Sequence, residues 1–221
     1  MVDRPKILDD PITDVDLYQA FRLMKKKDFV SALAILNKGL KKEAVQADPI
    51  LQGLFLSALG VLYKLQNDFK AAYKFYQQAE KLMPDEGSLK IITALLLIEE
   101  FAQYDTALKK LDKVMLSDGG DPAMVHHVRA ARGMALYLMG KKAEARALLD
   151  EQLADDFTKL RSGANLDFKL IELFLRKNFE IVLCRLYLEK ALAFVTSTKE
   201  SSFIALIRHL LTQLPVVMGA P

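Results

Sequence analysis

The chain has 221 residues, of which 52% are hydrophobic and 27% are charged, and its net charge is +3. This length and composition are typical of a globular protein with a sizeable core and exclude an intrinsically disordered chain. The balanced charge gives no sign of the concentrated basic surface that binds phosphates, so we expect no nucleic-acid partner.

The N-terminal residues 1–12 are predicted to form a tail without a secretion signal, because they contain several acids and no apolar stretch. The longest uncharged run, Pro49 to Tyr63, includes glycines, a glutamine and a serine and is shorter than the roughly 20 apolar residues that span a bilayer. We therefore expect no membrane insertion. The single cysteine, Cys184, excludes an intrachain disulfide, favours a cytoplasmic location and is predicted to be a buried, inert thiol.

Residues 53–86 show the pattern of two helices packed against each other. Residues at spacings of three and four define the face of a first helix: Leu56, Leu59, Gly60 and Tyr63. After a break at 67–68, a second helix presents another face and ends at a proline: Ala72, Tyr76, Ala79 and Pro84. Small residues opposite large ones specify a close helix crossing, so we expect Gly60 and Ala72 at the contact and the tyrosines beside it.

The turn between these two helices recurs along the chain. The sequence NDFKAA (67–72) matches KDFVSA (27–32) and, more loosely, QYDTA (103–107) and GKKAEA (140–145). Each turn is followed by an alanine near the start of the second helix, with separations of 40, 35 and 38 residues: Ala32, Ala72, Ala107 and Ala145. Two helices per period of this length predict an all-α helical solenoid.

The repeat resembles the tetratricopeptide repeat, whose pattern is W-x2-L-G-x2-Y, then A-x3-F, then P. Residues 53–86 match nearly throughout, with Leu56 and Tyr76 replacing the tryptophan and the phenylalanine. Residues 132–149 match through Gly133, Leu136, Ala145 and Leu149. The first and third units match more weakly, through Ala20, Leu23, Ala32 and Leu36 and through Ala94, Ile98, Ala107 and Leu111. The resemblance implies a right-handed α-solenoid with four helix pairs in residues 13–155.

Residues 156–221 are predicted to be C-terminal helices, namely a degenerate fifth unit within 163–195 and a capping helix over 200–214. The sequence KNFEIV (177–182) repeats the turn motif, and the last helix has an apolar face that would cover the open end of a solenoid. The extra residues around 41–50 imply longer helices or a longer loop between the first two units.

The resemblance also implies where a partner would bind, because the first helix of each pair lines the concave face of a tetratricopeptide solenoid. The predicted groove residues on these helices are Tyr18, Phe21, Leu54, Ser57, Val61, Leu89, Ile92, Leu96, His127, Ala130 and Met134. They are mostly apolar and lack the basic residues with which co-chaperones of the family hold acidic tails. A peptide or an amphipathic helix is the expected occupant, unless the C-terminal helices of the chain fill the groove.

Two arginines depart from the pattern, because Arg129 and Arg132 occupy positions where the repeat has large apolar residues. They either pair with carboxylates such as Glu144 or Asp150, or form a basic patch with His126 that binds a partner.

The predicted function is that of a non-catalytic adaptor or scaffold for another protein, present as a monomer or weak homodimer. The alternatives are a holder of an apolar segment for secretion or assembly, an adaptor of a regulatory protein such as a small GTPase, an enzyme subunit, and self-association through the end helix. The chain has no P-loop and no G-x-G-x-x-G motif. His126 and His127 are adjacent, and on a helix they point about 100° apart, which is a poor arrangement for a metal. No cofactor or catalytic residue is expected.

Overall fold

The computed structural model describes residues 14–214. Within that range the chain is α-helical, with two short 3-10 helices and no β-strand, which confirms the predicted all-α helical-repeat fold. The predicted N-terminal tail and the apolar residues 215–221 lie outside the described residues.

The chain divides into two compact units, residues 1–103 and residues 104–221. The described helices of the first unit are α1 (Val15–Lys25), α2 (Phe29–Gly39), α3 (Glu43–Ala47), α4 (Pro49–Leu65), α5 (Phe69–Leu82) and α6 (Gly87–Glu99). Those of the second unit are α7 (Tyr104–Asp118), α8 (Pro122–Leu138), α9 (Lys142–Ala154), α10 (Lys169–Arg176), α11 (Ile181–Ser197) and α12 (Ser201–Thr212). The 3-10 helices Phe157–Leu160 and Gly163–Asn165 lie between α9 and α10.

Neighbouring helices pack as hairpins inside each unit. In the first unit α1 packs on α2, α4 on α5, and α6 on α5. In the second unit α7 packs on α8, α8 on α9, and α11 on α12. The two helices of the predicted third pair, α6 and α7, belong to different units.

Five hairpin turns share one backbone geometry. The second residue after each first helix is in the left-handed region, with φ between 48° and 83°: Lys27, Asn67, Gly140, Asn178 and Lys199. The next N–H donates to the carbonyl five residues earlier, as Asp68 does to Tyr63 at 2.9 Å, which is the Schellman ending of a helix. Asp28 and Asp68 then cap the following helices by accepting from backbone N–H groups. The turns of KDFVSA, NDFKAA, GKKAEA and KNFEIV therefore have the same local structure. The turn before QYDTA differs, because the N–H of Gln103 donates to the carbonyl of Leu97, six residues earlier.

Small residues allow the helices of a hairpin to approach closely. The four recurring alanines of the second helices are completely buried: Ala32, Ala72, Ala107 and Ala145. On α8, a Cβ on Gly133 would lie 2.6 Å from the Leu170 side chain of α10. The spacing of small residues in the sequence thus marks real contacts between helices.

The extra residues between the first two hairpins form the short helix α3. Its Val45 is 1% exposed and belongs to the core of the first unit. Asp48 then caps α4, accepting from the N–H groups of Ile50 and Leu51 at 2.9 and 3.1 Å. Within residues 14–214 no helix is both long and apolar enough to cross a bilayer.

Candidate partner-binding surfaces

Most of the predicted groove residues belong to the packed interior. Seven of the eleven have side chains that are at most 6% exposed: Ser57, Val61, Leu89, Ile92, Leu96, Ala130 and Met134. In this conformation a partner cannot reach them, which corrects the expectation that they line an open groove. A binding role for the other four stays a prediction.

In the first unit the reason is that helices α4, α5 and α6 share one apolar core. Val61 of α4 belongs to the same cluster as Leu89, Ile92 and Leu96 of α6, and the half-buried Phe21 and Leu54 pack against it. Each apolar side chain removed from water stabilises the fold by about 1.5–3 kcal/mol. Tyr18 of α1 is different, because it is 58% exposed.

In the second unit the C-terminal segment covers part of α8. Helix α10 packs against α8, with Leu170 beside Gly133. His127 lies near this contact, and its side chain is 27% exposed. Its Nδ1 lies 3.1 Å from Oδ2 of Asp167, so the predicted groove residue pairs with a carboxylate of its own unit. For α8, the alternative in which C-terminal helices fill the groove therefore agrees with the packing.

A buried polar network joins α8 to α11. The hydroxyl of Tyr187 donates to the carbonyl oxygen of Asp167 at 3.1 Å. Its oxygen can then accept from Nε2 of His126, which lies 2.8 Å away. His126 is completely buried, so it is not part of a surface patch. Burial, together with the nearby carboxylates of Asp167 and Asp155, raises the pKa of the Tyr187 hydroxyl.

Asp155 connects this network to the surface. Its two carboxylate oxygens accept from Nη1 of Arg129 at 2.7 and 2.8 Å. Nδ1 of His126 lies 3.7 Å from Asp155 Oδ2, too far for a hydrogen bond, and has no hydrogen-bond partner. Burial by itself raises the pKa of Asp155, but His126 and the Arg129 guanidinium lower it further than burial raises it. The Arg129 pair is therefore expected to hold the end of α9 against α8.

The two arginines are paired, but not with the expected carboxylates. Nε of Arg129 lies 3.0 Å from Glu151, in addition to its bonds to Asp155. Arg132 pairs with Asp112 of α7. The predicted partners Glu144 and Asp150 lie instead near Lys141 and Arg146 respectively. The arginines therefore do not form an open basic patch, because neighbouring helices supply acids that sequence spacing does not reveal.

A surface groove of about 470 Å³ lies between α7 and α9 above α8, and we call it the α7–α9 groove. Its apolar lining consists of Met115, Leu116, Val128 and Leu148. Its charged lining consists of Asp112, Arg129, Arg132 and Glu151. Leu116 is 89% exposed and Met115 is 38% exposed. The sequence did not lead us to predict this groove. The available signal was Leu116, an apolar residue that lies off the buried stripe of α7 containing Leu111 and Val114.

A second pocket, of about 260 Å³, adjoins the start of α8. It is lined by the turn Gly119–Gly120, by Asp155 and Asp156, and by Lys159. Arg129 lines both this pocket and the α7–α9 groove. The two depressions therefore meet at one paired arginine.

Reactive side chains do not gather at either depression. Cys184 is buried, as predicted, and burial followed by the nearby Glu180 raises the pKa of its thiol to about 12. A thiol in this state is a poor nucleophile. Within residues 14–214 no group of three or more histidine, cysteine, aspartate or glutamate side chains is placed to hold a metal ion.

The fold is similar to that of PilW, a widely conserved type IV pilus biogenesis factor of known crystal structure. The TM-score is 0.59 over 91% of this chain and 93% of the PilW chain, at 14% sequence identity. At this identity the likeness shows the shared helical-repeat fold. No protein-family model matches the chain, and a search of curated proteins gave no match.

Proposed function

We propose that this chain is a non-catalytic adaptor that holds a protein partner in a complex. The observation that supports this most is an exposed apolar groove on a scaffold of helix hairpins. Repeated hairpins present broad, rigid surfaces on which proteins dock. Exposed apolar side chains that gather in a groove are typical of interaction sites, whereas isolated ones are ordinary.

A second candidate is an assembly factor that holds an apolar segment of another protein until a larger structure forms. The likeness to PilW favours it, because PilW is described as a biogenesis factor. A shared fold does not fix a shared function, so this candidate needs its own test. An assembly factor would bind its client before assembly and release it afterwards, whereas an adaptor would stay in the finished complex.

The deciding experiment is capture followed by reconstitution. The full chain would be immobilised, proteins from the source cell would be captured, and each candidate would be purified and titrated against the chain by calorimetry. A helical-repeat protein of similar size and charge would serve as the control for non-specific capture. A complex of fixed stoichiometry supports the adaptor proposal. Candidates that fail to bind once purified would overturn it.

We further propose a cytoplasmic location and a monomeric or weakly dimeric state. The single cysteine, which leaves no partner for an intrachain disulfide, supports the first. Light scattering across a concentration series would test the second, because a stable dimer would keep twice the mass at the lowest concentration. Fractionation of the source cell would test the location.

A further inference from the structure

We propose that the α7–α9 groove docks a cationic amphipathic helix of a partner protein, with apolar side chains in the groove and lysines or arginines along its edges. This inference rests on the proposed adaptor function and adds the chemistry of the partner. It follows from two properties of the groove, namely its exposed apolar lining and the way its ion pairs are oriented.

The apolar lining of the groove favours a partner that places apolar side chains in it. Leu116 stands 89% exposed in the last turn of α7, beside Met115 at 38%. Val128 is completely buried below them, and Leu148 of α9 is half-buried opposite. A helix that places side chains at spacings of three and four over this groove would bury both Met115 and Leu116, the exposed large apolar side chains of α7. The adaptable methionine suits such a contact.

The ion pairs of the groove point their negative ends outward. The side chains of Arg129 and Arg132 are 25% and 32% exposed, whereas those of their partners Glu151 and Asp112 are 53% and 56% exposed. The arginines therefore lie deeper and are neutralised, and the carboxylates face the solvent. Asp112 belongs to α7 and Glu151 to α9, so each edge of the groove carries one exposed carboxylate. Positive side chains on a partner complement such edges.

The edge formed by α9 continues this pattern along the helix. Glu144, Leu148 and Glu151 follow one another at spacings of four and three, which places them along one side of α9. The Glu144 side chain is 60% exposed and lies 3.7 Å from Lys141, whereas Asp155 beyond the end of α9 is held by Arg129. At the adjoining pocket the positive charge of Lys159 offsets the negative charge of Asp156. A partner helix with basic residues one or two turns apart would therefore match the edge, whereas an acidic helix would be repelled.

The test uses a labelled synthetic helix of about five turns, with leucines on one face and lysines on the other. A second peptide has glutamate in place of every lysine. Fluorescence anisotropy would measure the binding of each peptide to the full chain. We expect the lysine peptide to bind, more weakly as salt is raised, and the glutamate peptide to bind at least about tenfold more weakly. Equal binding of the two peptides would overturn the proposal.

Two variants locate the binding. Leu116→Arg removes the apolar anchor and adds positive charge, so the lysine peptide should bind at least about tenfold more weakly. Val30→Arg on α2 is the matched control, because Val30 is 82% exposed and lies outside the groove. Glu151→Gln should weaken binding several-fold, whereas Glu43→Gln on α3 should not. Circular dichroism would establish that each variant is folded. Unchanged binding of the lysine peptide to folded Leu116→Arg would contradict the proposal.

The partner from the capture experiment separates this inference from the proposed function. If a reconstituted partner loses affinity for Leu116→Arg and not for Val30→Arg, both stand. If it binds Leu116→Arg like the wild type, the groove inference falls and the adaptor function stands. If the lysine peptide binds the groove but no protein partner can be reconstituted, the docking chemistry stands and the adaptor function falls.

Discussion

The ring of Tyr76 on α5 lies directly against the Cα of Gly60 on α4. A Cβ on residue 60 would come within 2.7 Å of the Cδ1 and Cε1 atoms of that ring, closer than real Cβ contacts. Tyr76 is 1% exposed, so its ring is enclosed by the core of the first unit. The contact couples the smallest residue of one helix to a large residue of the other.

Gly60→Val should destabilise the first unit. The added methyl groups would overlap the Tyr76 ring, and overpacking of this kind typically costs about 1–3 kcal/mol. Urea unfolding followed by circular dichroism would measure the loss. Gly120→Val is the matched control, because a Cβ there would meet no atom within 4 Å. Equal stability of the two variants would mean that α4 and α5 are not packed as closely as described.

Asp155→Asn should destabilise the second unit by about 1–2 kcal/mol, because it weakens two charge-assisted hydrogen bonds from Arg129. Asp150→Asn should change stability by about 0.5 kcal/mol or less, since Asp150 lies 3.9 Å from Arg146 and half of its side chain is exposed. Thermal unfolding of both variants would show the difference. A larger loss in Asp150→Asn would contradict the assigned pairing.

The stability of the second unit should fall in acid partly because of Asp167. Burial alone raises the pKa of this carboxyl, but the hydrogen bond and charge of His127 and the backbone N–H of Lys169 lower it further than burial raises it. A lowered folded-state pKa gives stability that is present above the unfolded value of about 3.9 and is lost as pH falls through the folded value.

Asp167→Asn removes this contribution. The variant should be less stable than the wild type at pH 7, and its free energy of unfolding should change less steeply with pH below about 4. Denaturant unfolding at a series of pH values would measure the slope of the unfolding free energy against pH for the wild type and for the variant. Glu43→Gln, on the surface of α3, is the control. Parallel slopes for wild type and Asp167→Asn would be incompatible with a lowered pKa at Asp167.

Tyr187→Phe should cost about 1–3 kcal/mol, because it leaves the buried His126 Nε2 and the Asp167 carbonyl without their shared hydroxyl. Tyr18→Phe should be nearly neutral, since Tyr18 is 58% exposed. Chemical denaturation would compare the two. A neutral Tyr187→Phe would indicate that the network contributes no net stability.

Cys184 should resist alkylation in the folded chain. Its thiol is buried with a pKa of about 12, so the reactive thiolate is scarce at pH 8. Mass spectrometry after treatment with iodoacetamide would follow the modification, with the denatured chain as the reference. Modification at the same rate in both states would mean that α11 opens freely.

The hairpins could be predicted from the sequence because their determinants are local. In the first two hairpins the left-handed residue, the capping aspartate and the buried alanine lie within a few positions of one another, as in Asn67, Asp68 and Ala72. These local signals correctly indicate the α1–α2, α4–α5 and α8–α9 hairpins, whereas the predicted pairing of α6 with α7 stays a prediction. The short helix α3 was harder to foresee, because only the excess of residues indicated it.

The surfaces could not be predicted in the same way, because they depend on contacts distant in sequence. Arg129 is held by Asp155, which is 26 residues away. His126 is held by Tyr187, which is 61 residues away. Neither pairing follows from helical spacing. The burial of Val61 and Leu96 likewise depends on which elements lie over the first helices.

The long separation between His126 and Tyr187 has a consequence for synthesis on the ribosome. Each hairpin needs only adjacent residues, so it can form soon after its second helix emerges. His126 must wait until α11 has been translated before its ring acquires a partner. Nascent chains that stop before Tyr187 would therefore contain complete hairpins, but Nε2 of His126 would lack its hydrogen-bond partner. Limited proteolysis of such chains would show whether the second unit becomes resistant to cleavage only after α11 has been added.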